Sequence, residues 1–339
     1  MKPFQPCAAL AVLLIALPAT LLSQGKVHPS KIKRGPWKQG YKMPLGWVVY
    51  KTRHYEVQSQ AGKEKAARLG KHMESMLRVY VKRFRPTKTL SSKRYTIKLL
   101  ESRGAFRAYG APPGAGAYYS GRDKEMVCYD TGKWFDDPKK KGPTTGADEQ
   151  KDPRAAMRAE MDRWKMDILG AASHEGWHQY FAWYVGSQVQ LPSWINEGMG
   201  DYFYTARPKK VKGRQMPAKV GRMNPTRLRT IQAAVKQNRH VPIKEILAYD
   251  QRQYYSNARV CYAEGWSLCQ FLLHGGNKKY ARVVPKFIRL VDTDTNMPVV
   301  TKKAFRGTDL DKLEEEWKAW VLAQRLDEDK GSKKPKKSD

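Results

Sequence analysis

Two apolar periods alternate along the first half of the chain, and a single helical period dominates the second. From Ala61 to Phe84 the apolar residues Ala66, Leu69, Met73, Met76, Tyr80 and Phe84 recur three and four apart, which predicts an amphipathic helix lying on a sheet. Short runs of strand character flank it: Trp47–Tyr50 and His54–Val57 before, Tyr95–Leu100 after. Ala117–Ser120 and Met126–Asp130 stand on either side of Gly121-Arg122-Asp123, the pattern of a hairpin. A helix is then expected from about Trp164 to Val185, with small residues Ala171, Ala172 and Ser173 allowing close packing. Pro192 and Ser193 open the next helix, with Ser193 as candidate N-cap. Asn224-Pro225 is a cap and first-turn pair for a helix over 226–237. Further helices are expected at Ala258–His274, closed by Gly275-Gly276, at Lys278–Val291 and at Leu310–Leu326.

The fold class that follows is α+β. One domain spans 46–326, with an α/β lobe at about 46–135 and a mainly helical lobe at about 154–326. Basic residues with Gly and Pro make 26–45 a linker; 136–153 reads as a mobile loop and 207–225 as a basic insertion after the second helix of that lobe. The charged tail 327–339 has too little apolar content to fold. No internal repeat is present.

Composition changes this picture in three ways. Residues 1–25 have a charged start at Lys2 and an apolar run from Ala8 to Leu22, the pattern of a signal peptide, so an exported protein (periplasmic, cell-envelope or extracellular) is expected. The run is shorter than the ~20 residues of a spanning helix, and no other stretch is apolar enough, so the mature chain should carry no transmembrane segment. Cys128, Cys261 and Cys269 remain after the leader; Cys261 and Cys269 sit about 12 Å apart on one helix, so any disulfide must use Cys128, and three buried free thiols are the alternative. Lysine and arginine number 64 against 32 acids, a formal charge of +32. Such a field favours nonspecific polyanion contacts, but no zinc finger, RNP motif or helix-turn-helix accompanies it, which argues against a dedicated nucleic-acid module.

The chemistry concentrates in His174-Glu175-Gly176-Trp177-His178 and in Glu197, with eighteen residues between His178 and Glu197. Residues four apart on a helix share a face, so His174 and His178 can offer two imidazole nitrogens to one ion. Glu197 on a second helix completes a His-His-Glu set for Zn2+, one ion per chain, with the fourth position left to water. Glu175 is placed to act on that water as general base. Asp201, one turn beyond Glu197, is placed to accept the other ring N–H of a ligand histidine; Asn196 and Trp194 are expected to support the ligands and the packing. His240 and His274 are isolated and expected to be non-catalytic, and the macrodipole at the end of its helix should favour charged His274.

The HExxH motif, the spacing and the Trp194-Ile195-Asn196-Glu197-Gly198 context together resemble the gluzincin metallopeptidases of clan MA, of the aminopeptidase N and leukotriene A4 hydrolase type. Over the whole chain the pattern is most similar to uncharacterised peptidase-MA-like secreted bacterial proteins. The resemblance implies a zincin-like fold with an edge strand over the zinc, which here would lie near Met126–Asp130. It also implies that Tyr262, in Tyr262-Ala263-Glu264-Gly265, donates to the oxyanion; the alternative is a core-facing aromatic. The Gly-x-Met-Glu-Asn stretch by which the aminopeptidases hold a free amine has no counterpart, since Pro113-Gly114-Ala115-Gly116-Ala117 contains no acid, although Glu264 could serve instead.

The expected function is therefore an exported zinc metallopeptidase, a hydrolase acting on peptide or protein substrates and an endopeptidase rather than an aminopeptidase. The competing expectations are a polyanion-binding envelope protein with a relic zinc site, and a zinc hydrolase of a non-peptide bond. An intact Glu175 weighs against the relic, because a structural ion needs no general base.

Overall fold

The computed structural model describes residues 26–87, 93–134, 166–186, 189–211 and 214–326. The expected leader, the 136–153 loop and the 327–339 tail lie outside the described residues. What is described is a mixed α+β architecture, with a small sheet in the N-terminal part and helices after it.

Five strands form the sheet: β1 (Val48–Lys51), β2 (Tyr55–Ser59), β3 (Tyr95–Leu100), β4 (Tyr118–Ser120) and β5 (Glu125–Tyr129), in the order β1-β2-β3-β5-β4. Helix α1 (Lys63–Arg83) is the crossover that makes β2 and β3 parallel, with Val57 opposite Ile97. β5 is parallel to β3, and β4 returns antiparallel on its outer side, with Tyr119 opposite Met126. The sheet edge on this side is thus β4; the expected edge near Met126–Asp130 is interior, because the hairpin folds outward from β5 and covers it.

Period two sorts β3 and β5 between two cores. Tyr95, Ile97, Leu99, Met126 and Cys128 face the main core, which holds α1 and the first helix of the C-terminal part. Leu100 and Val127 face a smaller core with Phe106 and Tyr109, the former on the short helix α2 (Arg103–Ala108). Residues 26–47 complete that second core and are no linker. Ile32 and Trp47 are buried in it, Trp37 packs on Trp47 at 5.5 Å, and Gly35 is held by both of its backbone groups. The composition of this strap looks like a linker, but its few apolar side chains point one way.

Beyond the sheet lie α3 (Ile168–Tyr184), α4 (Ser193–Tyr204), α5 (Pro225–Lys236), α6 (Ile243–Ile246), α7 (Gln251–Ser256), α8 (Ala258–His274), α9 (Val283–Leu290), α10 (Met297–Ala304) and α11 (Leu310–Ala323). Of these, α6, α7 and α10 carry too few periodic residues to be read from pattern. The cap of α4 is Pro192, with Ser193 already helical. The expected insertion at 207–225 contains a two-stranded hairpin, β6 (Arg207–Val211) and β7 (Arg214–Lys219). Asn224 caps α5 as expected, accepting from the Arg227 N–H at 3.2 Å. All three described cysteines are buried free thiols. Among the described residues no helix is long and apolar enough to cross a membrane.

Candidate metal centre

Helix α3 is buried nearly all round, which suits a central helix. Asp167 caps it, taking the N–H groups of Leu169 and Gly170. Against its lower face α1 fastens the turn before the motif: Tyr80 donates to the Ser173 carbonyl at 2.6 Å, and His72 Nε2 meets Ser173 Oγ at 2.8 Å. Burial depresses the His72 pKa to about 3, with Arg207 as a second cause, so this ring is neutral. Glu175 and His178 are the partly exposed residues of the motif, facing the remaining open side.

Helix α4 delivers Glu197 to that side, and α8 crosses behind α4. The crossing is backbone on backbone: a Cβ on Gly198 would stand 2.4 Å from the Gly265 carbonyl oxygen, and one on Gly265 would stand 2.8 Å from the Trp194 oxygen. The two glycines of the Asn-Glu-Gly and Tyr-x-x-Gly segments are thereby explained, since only glycine lets the helices approach this closely. Gly200, two residues on and turned to the other side of the helix, leaves room for the His174 ring, which a Cβ there would meet at 2.6 Å.

His174, His178 and Glu197 converge, with ligand atoms all within 4.8 Å of one another. His174 Nε2 and His178 Nε2 stand 3.0 and 3.6 Å from the same Glu197 oxygen, Oε2. A tetrahedral ion with the usual bond lengths sets its ligand atoms about 3.3 Å apart, so the spacing fits one ion. The other ring nitrogens are already engaged: His174 Nδ1 with Asp201 Oδ1 at 3.1 Å, and His178 Nδ1 with Asn196 Oδ1 at 3.0 Å. Those contacts hold a proton on each Nδ1, so that Nε2, on giving up its own proton, turns a lone pair inward, the tautomer that metal binding needs. The group can therefore hold a metal ion, and its N and O donors suit a divalent transition ion.

The electrostatics agree. Burial opposes charge on His174, but its hydrogen bonds to Asp201 and Glu197 outweigh that and hold its pKa well above the usual value. Burial raises Glu197, yet the His178 charge and the two histidine contacts bring it well below the carboxylate range. Asp201 is likewise lowered against burial, chiefly by Arg227. A cluster that binds positive charge this strongly is one a cation can occupy in place of protons.

Glu175 stands at the mouth of the group, where burial raises its carboxyl and the two histidines partly offset the rise. The Tyr119 backbone lowers it a little further, and Trp183 of α3 donates to the Tyr119 hydroxyl at 2.8 Å, which ties edge strand β4 to the motif helix. Tyr262 stacks over His174 at 6.4 Å between ring centroids and against Tyr255 at 6.0 Å; burial first, and then the Glu197 charge, keep its hydroxyl protonated. Tyr262 is half-buried and also packs against the main core.

Three contributors were not foreseen. Tyr255 donates to Glu197 Oε1 at 2.9 Å, leaving Oε2 for the ion. Arg227 donates to Asp201 Oδ2 at 2.6 Å and lays its guanidinium 4.9 Å over the Tyr262 ring. Tyr119 contributes through its main chain, which no side-chain motif can encode. Two further expectations resolve differently, those for Glu264 and for the charge of His274. Glu264 is fully buried, holds the Val241 N–H at 2.9 Å and has its pKa pushed up to about 8 by burial, so it cannot serve as an amine anchor. His274 stacks on Tyr202, and burial lowers its pKa, which overrides the macrodipole. His240 pairs with Glu314 at 3.2 Å, away from the centre. Trp194 is a core residue against Phe287 and Phe305.

Residues 168–291 match a family model described as a protein of unknown function, DUF1570. That span begins at the first residue of α3 and holds every side chain of the centre. No curated protein matches the chain.

Proposed function

We propose that this protein is an exported zinc metallopeptidase with a zincin-like fold of the gluzincin type, cleaving peptide bonds within a chain. The observation that carries the reading is the coincidence, in one place, of a three-donor cage and a carboxylate that belongs to no donor pair. His174, His178 and Glu197 fill three positions, and Glu175 stands beside them.

A zinc ion on these donors would supply Lewis acidity, polarising a carbonyl and bringing the pKa of water toward neutrality. Glu175 takes up the proton released at the start of hydrolysis and returns it to the leaving amine; its raised pKa brings it nearer to the working pH of such a base. Tyr262, protonated throughout, donates to the oxygen that gains negative charge. Tyr255 and Asn196 hold Glu197, while Asp201 and Arg227 hold His174 and the Tyr262 ring, so that the reacting groups are set before substrate arrives. Beyond its pairing with β5, the outer edge of β4 offers main-chain groups to an extended peptide. The absence of an acid in the Gly114–Ala117 stretch, together with the burial of Glu264, favours internal cleavage.

Glu175→Gln separates catalyst from relic. The three donors are untouched, so the variant should retain one zinc per chain by elemental analysis. Hydrolysis of a peptide library should fall about 10²–10⁴-fold. Wild-type turnover in the variant would remove Glu175 from the mechanism, and a wild-type chain that binds zinc but cleaves nothing would favour the relic.

A further inference from the structure

The first acidic residue of the chain is Glu56, and residues 26–55 hold eight lysines and arginines with none to balance them. Most of that charge lies on the strap, which is a rigid element. Gly35 donates its N–H to Glu125 at 2.7 Å and accepts from Lys98 at 3.0 Å, and both of those side chains are fully buried. Lys98 also lies 4.3 Å under the Trp37 ring. Two turns follow, closed by the Tyr41 N–H on the Lys38 carbonyl at 3.0 Å and by the Trp47 N–H on the Pro44 carbonyl at 3.1 Å.

With Ile32, Gly35 and Trp47 turned inward, the outward side chains of the strap are Lys31, Lys33, Lys38 and Lys42, all exposed, and beside them Met43 and Leu45. At 46% and 55% exposed, these last two are the most exposed of the large apolar side chains described. A flexible tail could fold such residues away, but a strap fastened by buried polar groups and two turns presents them permanently.

We propose that this strap docks the folded domain on the surface of an anionic lipid bilayer. The lysines meet headgroup phosphates, and Met43 and Leu45 enter the boundary between headgroups and acyl chains. Charge complementarity alone would suit any polyanion. The apolar pair selects lipid, because a soluble polyanion gives Met43 and Leu45 nothing to be buried in. The strap and α3 pack on opposite faces of the sheet, so docking leaves the metal centre free. The inference does not depend on the proposed peptidase activity.

The test uses the full chain with Cys7→Ser, since the three other thiols are buried. A polarity-sensitive dye is placed at Gln39→Cys in the strap or at Leu322→Cys on α11. Each form is titrated with phosphatidylcholine vesicles with and without phosphatidylglycerol. Residues 1–25 are common to all forms, so differences between forms report the strap. The dye at 39 should shift to the blue with the anionic vesicles and much less with the neutral ones, while the dye at 322 stays unchanged. Lys38→Gln with Lys42→Gln should raise the half-saturating lipid about 25-fold, at roughly fivefold for each lysine near the surface. Met43→Ser with Leu45→Ser leaves the charge unaltered and should raise it at least about tenfold, from lost apolar burial. All four positions are exposed, so unchanged melting confirms that the variants fold. No shift at 39, or equal shifts at 39 and 322, would overturn the proposal. So would indifference to the apolar double variant, and if polyphosphate in solution then reproduced the shift at 39, the surface would belong to soluble polyanions.

Discussion

Gly198→Ala tests the crossing that builds the centre, because two opposing effects act on one methyl group. Replacing a helical glycine by alanine favours the helix by up to about 1 kcal/mol. Against that, the added Cβ would lie 2.4 Å from the Gly265 oxygen, 2.7 Å from the Gly265 carbonyl carbon and 2.9 Å from Cys269 Sγ. Ordinary contact requires about 3.5 Å, so α4 and α8 must part by about 1 Å. Two of the three atoms are backbone and cannot rotate aside, which puts the strain toward the upper end of the ~1–3 kcal/mol typical of overpacking. The net loss should be about 2 kcal/mol, a fall of about 4–8 °C in Tm. Glu197 precedes Gly198 in the chain, so the same displacement moves a metal donor, and zinc affinity should weaken about tenfold, at the low end for a disturbed ligand environment. Gly104→Ala is the control: a Cβ there meets nothing closer than Ser102 Oγ at 3.7 Å, so stability should hold or rise. Melting curves of both apo variants and a chelator competition for zinc make the measurement. If Gly198→Ala melts at or above the wild-type temperature with its zinc affinity intact, the close crossing is not what positions Glu197.

Asp201→Asn should weaken zinc binding about 10–100-fold, as chelator competition would show, because it removes the carboxylate behind His174 and leaves Arg227 without its partner. Tyr262→Phe should lower kcat about 10²–10³-fold with KM and zinc content little changed; near-normal kcat with a lowered Tm would make Tyr262 a packing residue. His72 predicts an acid-side loss of stability, since its folded pKa of about 3 lies below its unfolded value of 6.5. The unfolded chain takes up a proton over that window while the folded chain does not, so this contribution is intact above pH 6.5 and falls with pH, by about 2 kcal/mol at pH 5. Denaturant melts of wild type and His72→Gln at pH 7 and pH 5 would check it; equal pH slopes would remove His72 as the cause.

Much of this protein could be read from local order. The period of Ala66 to Phe84 and the strand runs at 55–57 and 95–100 depend on neighbours a few residues away, and they appear where expected. The donor spacing is of the same kind, because one helix turn sets His174 against His178. Asp201 was legible for the same reason, lying one turn from Glu197. Beyond Glu197 and Asp201, whose motif context announced them, what depends on distant segments meeting was not legible. Tyr255 and Arg227 carry no motif; they reach the centre because α7 and α5 pack beside α4 and α8. Which strand forms the edge depended on the direction in which the β4–β5 hairpin folds, and period two alone is silent on that. The strap looked like a linker because a buried Lys98–Glu125 pair, fifty residues and more beyond it, supplies the partners that its backbone needs. Burial also settled the charges: His274 sits where the macrodipole favours a cation, yet its packing against Tyr202 makes loss of solvation the larger effect. Sequence thus determined the longer elements and the histidine pair, whose causes are short-range; the tertiary structure brought Glu197 to that pair and decided what surrounds the donors, because burial and long-range contact exist only once the chain has folded.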